Sequence, residues 1–137
     1  MEARVRATGH LEGTWAESVE ILGVMLMLVV AEPANQIAVR GRSDLKLLQI
    51  RSGSKGIVAI VSGGPLTMAM AGIGDDGERE LSRLGWQEPT SELASWSRSW
   101  DRMESLGTVA RSVLVALRGA FGVNPSCITC EIFQSGL

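Results

Sequence analysis

Between Glu20 and Glu32 the chain runs Ile21-Leu22-Gly23-Val24-Met25-Leu26-Met27-Leu28-Val29-Val30-Ala31 without one charged side chain. Any fold adopted by this sequence has to dispose of that segment. It is about half of the roughly 20 residues that a helix needs to cross a bilayer, so it reads as core and not as a membrane span. Just upstream, Thr14-Trp15-Ala16-Glu17 has capping-box spacing, in which the Thr hydroxyl accepts from a first-turn amide while the Glu reaches back to the Thr amide. A helix from Thr14 to about Val30 follows, with Trp15, Val19, Leu22, Leu26 and Val29 on one face and Glu17 and Glu20 opening the polar side. Its second half is apolar nearly all round. Either two of its faces are covered within the domain, or a second chain covers one. Leu22, Leu26 and Val29 are therefore expected on a core or dimer helix, and a homodimer is expected.

The rest of the chain must supply what that helix packs on. Met1 to Gly13 show no sustained period and are expected to form a flexible arm, which leaves 14–137 as a single domain. Glu32-Pro33-Ala34-Asn35 is a turn signal, because Pro33 lacks an amide and disfavours helix at the residue before it. Gln36–Arg40 reads as a strand, as does Leu45–Arg51, which sets Lys46, Leu48 and Ile50 on one face and Leu45, Leu47, Gln49 and Arg51 on the other. Gly41–Asp44 turns between them. The β-branched run Ile57–Val61 follows the turn Ser52-Gly53-Ser54-Lys55-Gly56 and completes an antiparallel meander.

Ser62-Gly63-Gly64-Pro65 interrupts this pattern, and Leu66–Ala71 is expected as a fourth strand or a crossing segment. Asp75-Asp76-Gly77-Glu78 sets acidic residues at a helix start, where they complement the dipole, and Leu81 and Leu84 give a short stripe ended by Gly85. Ser95-Trp96-Ser97-Arg98-Ser99-Trp100 alternates with a period of two and reads as a strand. Leu106, Val109, Ala110, Val113, Leu114, Leu117 and Phe121 mark a second long helix between Met103 and Phe121, stopped by Gly122. Cys127–Phe133 is expected as a last strand at the sheet edge. The fold class is α+β: an antiparallel sheet, made of the meander and C-terminal strands, packed against two long helices and one short one.

Composition narrows the function. In 137 residues, 45% are hydrophobic and 20% charged, which fits one folded domain. A net charge of −2 gives no basic surface for phosphates, so nucleic-acid binding is not expected. The sequence shows no signal peptide and too few cysteines for a disulfide framework, and a cytoplasmic location is the expectation.

Motifs that carry chemistry are sparse. Cys127-Ile128-Thr129-Cys130 has CxxC spacing, but a zinc site needs about four ligands and His10 is the sole histidine. On a strand the two thiols face opposite sides, so buried small hydrophobes are the favoured reading over redox or metal work. Gly72-Ile73-Gly74-Asp75-Asp76-Gly77 spells GxGxxG, yet Asp75 and Asp76 would set two negative charges beside a pyrophosphate, and turn chemistry is the better account. No catalytic residue, metal ligand or cofactor site emerges.

The order of these pieces resembles a known superfamily. Trp15 in the opening helix, Leu47-Leu48-Gln49-Ile50 in the meander, Leu81-Ser82-Arg83-Leu84-Gly85-Trp86 followed by Gln87-Glu88-Pro89, then Trp96, Trp100, Ala110, Leu117-Arg118 and Phe121-Gly122-Val123 together resemble the actinobacterial branch of the type III secretion chaperone and YbjN superfamily of peptide-binding chaperones. That resemblance implies a helix and sheet sandwich, frequent dimerisation and binding of a protein or peptide client without an enzymatic step. The expected contacts are Leu48, Ile50, Val58, Trp96 and Trp100, lining an apolar groove assisted by pairing at a sheet edge. Two rivals are a dimeric adaptor that chaperones no client, and a thiol or metal protein built on Cys127 and Cys130.

Overall fold

The computed structural model describes residues 3–10, 15–41, 45–62, 74–90, 95–123 and 127–135. Its elements in chain order are β1 (Ala3–His10), α1 (Trp15–Ala31), β2 (Asn35–Arg40), β3 (Lys46–Ser52), β4 (Gly56–Val61), α2 (Asp75–Arg83), β5 (Ser97–Asp101), α3 (Leu106–Gly119) and β6 (Thr129–Ser135). The fold is α+β, with one six-stranded sheet in the order β1-β6-β2-β3-β4-β5. Every neighbouring pair is antiparallel.

Alternation along the strands decides which face becomes the core. Ile37 of β2 stands opposite Ile50 on one side and Ile132 on the other, and Val39 stands opposite Leu48 and Cys130. Leu48 and Ile50 continue to Val61 and Ala59 on β4. All eight are buried, and they join one cluster with Leu22, Leu26 and Val29 of α1 and Val109, Val113, Leu114 and Leu117 of α3. Each large side chain fully buried there is worth about 1.5–3 kcal/mol. The two long helices pack on each other, and α1 also meets β2, β3 and β6.

Local chemistry sets where the helices begin and end. Ser105 caps α3, its Oγ accepting from the Thr108 amide at 3.1 Å. Gly122, at φ +65°, ends the segment in the left-handed region, and the Val123 amide donates back to Leu117 O. At the end of α2, Gly85 takes φ +92°, its amide donates to Ser82 O, and the Trp86 amide donates to Leu81 O. This pair of bonds is a Schellman turn, and it delivers Trp86 to the core directly after a surface helix. The cap expected from Thr14 and the strand expected at Leu66–Ala71 lie outside the described residues.

Two expectations are corrected. Ala3–His10 does not form a flexible arm: it is strand β1, paired with β6 from Ala3 opposite Ser135 to His10 opposite Thr129, with a bulge between Val5 and Ala7. Alternation is present there in Ala3, Val5, Ala7 and Gly9, but small residues carry it and it does not register as hydrophobic periodicity. In consequence β6 is not an edge strand. It lies inside the sheet between β1 and β2, which is where Ile132 and Cys130 find cover.

Candidate functional site

The residues expected to line a groove are separated by the fold. Leu48 and Ile50 are fully buried on the helix-covered face of β3, and Trp96 and Trp100 are each 5% exposed. Four of the five expected contacts thus belong to the core, a correction that follows from the helices covering the apolar face of the meander. Val58 points the other way, paired with Arg51 and Ser99, and is half-buried. Val58 and Trp100 do meet at one shallow recess of about 650 Å³ beside the β3–β4 turn. Leu22, Leu26 and Val29 are also fully buried in the core of this chain, so they are not available to a second copy.

The other face of the sheet is mixed: Ala38 and Leu47 are buried there, Val58, Ile60 and Phe133 are half-buried, and several polar side chains engage one another. Lys46 Nζ donates to Gln49 Oε1 at 2.8 Å, and Gln49 Nε2 donates to Gln36 Oε1. Arg40 Nε meets Glu131 Oε1 at 2.6 Å across β2 and β6. Partial burial, reinforced by the Arg40 charge, holds the Lys46 ammonium below the ordinary lysine range.

The outward side of α1 is different. Val24 and Met27 are each 58% exposed, Val30 50% and Leu28 45%. These residues fall on the side opposite Leu22, Leu26 and Val29, so the helix that is apolar all round is covered on one side only. Gly23 adds open space, since a Cβ built there meets nothing within 4 Å. Beyond the C-terminal end, Val30, Ile57 and Leu106 wall a recess of about 440 Å³ whose rim carries Asp101, Arg102 and Glu104. Met103, between the last two, is 88% exposed. An exposed apolar stripe running into a walled recess has the form of a docking surface.

The two cysteines differ in burial. Cys130 is buried on β6, and burial pushes its thiol up to about 12, which suppresses the thiolate needed for nucleophilic or metal-binding work. Cys127 is half-buried, and neither forms a disulfide. Among the described residues no group of three or more His, Cys, Asp or Glu is placed to hold a metal ion. Of the GxGxxG segment, Gly74 is the N-cap of α2 and Asp75, Asp76 and Gly77 form its first turn, while Gly72 and Ile73 lie outside the described residues.

Residues 9–133 match the family described as T3SS (YopN, CesT) and YbjN peptide-binding chaperone 3. The chain belongs to that family. No curated protein and no solved structure matches it. Among the described residues, four of the five exposed large hydrophobic side chains lie on α1. The family match begins at residue 9, so most of β1 lies outside it. Sequence reasoning missed Arg98, whose guanidinium lies 5.2 Å from the Trp100 ring centre while its Nη1 donates to Leu84 O at 2.6 Å. It also missed that Val24, Met27 and Leu28 are left bare. The signal was present in the all-round apolarity of α1, but only the placement of α3 and the sheet tells which side stays uncovered.

Proposed function

We propose that this chain is a non-catalytic, chaperone-like protein that holds an apolar segment of a client polypeptide against the outward face of α1 and the recess beyond its end. One observation carries the reading: Val24, Met27, Leu28 and Val30 keep about half their surface exposed on a helix whose other side is the core. Transferring that surface out of water on binding is favourable by about 25 cal/mol per Å² before ordering costs are met. Family membership supports peptide as the ligand class. The reduced thiols fit a reducing compartment, and we take the cytoplasm as the place of action. Among the described residues no helix is long and apolar enough to cross a membrane.

A permanently unfolded, reduced and alkylated polypeptide tests the reading. Its affinity, followed by fluorescence anisotropy, should fall at least about tenfold in the Val24→Ser/Met27→Ser double variant, while the thermal midpoint stays close to that of the parent. Unchanged affinity in a folded double variant would sink this placement of the site.

A further inference from the structure

We infer that the segment taken by the α1 face is cationic as well as apolar, with Lys or Arg side chains reaching the C-terminal end of the helix. This rests on the reading of α1 as the client surface and adds a charge requirement to it. Along the axis, the exposed side of α1 is divided into zones. Glu20 precedes the apolar residues, and from Val24 to Ala31 about 10 Å of helix carries no charge. Exposed Glu32 closes it, and the last turn holds no basic residue.

Two features give that closing end a negative character. The helix C-terminus has a partial negative charge of about half an electron, left uncompensated by the absent Lys or Arg. The Glu32 carboxylate is exposed beside it. Asn35, 7% exposed, donates its Nδ2 to Leu28 O at 3.0 Å, so the fold itself supplies one donor to the last turn and no cation. Arg102, on the rim of the neighbouring recess, directs its Nη2 to Ser54 O.

The same charges disfavour other occupants. A second copy packed antiparallel on this face would bring Glu20 of one chain toward Glu32 of the other, setting like charges together. An anionic membrane surface meets the same repulsion. An amphipathic segment with basic residues flanking its apolar stripe satisfies both the apolar zone and the negative end.

Two labelled synthetic peptides of about 18 residues test this, one with Leu at helical spacing and Lys elsewhere, the other with Glu replacing every Lys. Anisotropy should show the Leu/Lys peptide binding at least about tenfold tighter at low salt, with the gap closing in Glu20→Gln/Glu32→Gln and at high salt. In Val24→Ser/Met27→Ser the Leu/Lys peptide should be lost. Equal affinity for the two peptides, both lost in that serine variant, overturns the charge requirement and leaves the α1 surface standing. Leu/Lys binding that ignores the serine variant, or no binding of either peptide, overturns the inference and the surface together. A concentration-dependent dimer by light scattering that the serine variant abolishes overturns it in favour of a second copy.

Discussion

Trp86 and Trp100 meet edge to face, with ring centroids 6.3 Å apart and planes at 89°. One arrives from the Schellman turn after α2 and the other from β5, so this contact fastens the surface helix to the end of the sheet. Trp100→Ala should cost about 3–5 kcal/mol in urea unfolding. A cycle with Trp86→Ala should return a coupling of about 0.5–1.5 kcal/mol beyond area alone. Strict additivity would mean the two rings merely share a core.

Gly56 is fixed by its neighbour across the β4–β5 ladder. A Cβ there would lie 1.9 Å from Trp100 O and 2.7 Å from the Arg102 amide nitrogen, both backbone atoms that cannot swing aside. Gly56→Ala should destabilise by about 3 kcal/mol or more, whereas Gly23→Ala, on the open side of α1, should stabilise by up to about 1 kcal/mol. Chemical denaturation of the two variants side by side gives the comparison.

Cys130 sets a dependence on alkaline pH. Its thiol is raised from 9.0 to about 12 in the fold by burial, so folded and unfolded chains are both protonated below about pH 9 and the group contributes no slope there. Between about 9 and 12 the unfolded chain loses this proton while the folded chain keeps it, and stability falls. Thermal midpoints measured across that range should decline less steeply in Cys130→Val than in the parent. In native protein at pH 8, alkylation should reach Cys127 well before Cys130.

Adjacent residues on α1 should separate stability from binding. Leu26 is fully buried and Met27 is 58% exposed. Leu26→Ala should lose about 2–5 kcal/mol, and Met27→Ser should stay within about 1 kcal/mol while weakening capture of an unfolded polypeptide. Equal losses of stability in the two would show that Met27 is covered in solution.

Much of the architecture is legible wherever a large apolar residue repeats. Leu22, Leu26 and Val29 mark the inner face of α1, and Val109, Val113 and Leu117 mark α3, because burial of a helix stripe leaves a 3.6-residue period. Strand β1 is not legible in this way, since its alternation is carried by Ala and Gly and its place depends on a partner strand at the other end of the chain. The site is harder still. Leu48 and Ile50 announce an apolar sheet face, but the same pattern serves a covered core and an open groove. The helices decide between them through contacts distant in sequence. Trp96 and Trp100 mislead for the same reason, as tryptophan anchors cores and interfaces alike.

The place of β6 bears on how this protein is made. It is the last strand in the chain, yet it lies between the first two, joining Ala3 to Ser135 and Asn35 to Gln134. On the ribosome the outer edge of β2 therefore waits without its partner until Thr129–Ser135 emerge, and β1 has nothing to join until the same moment. Pairings so distant in sequence close slowly and leave an open edge while they wait. A member of a chaperone family is thus itself a nascent chain in need of shelter while the residues between Arg40 and Thr129 are made, and loss of β6 would unseat both pairings at once.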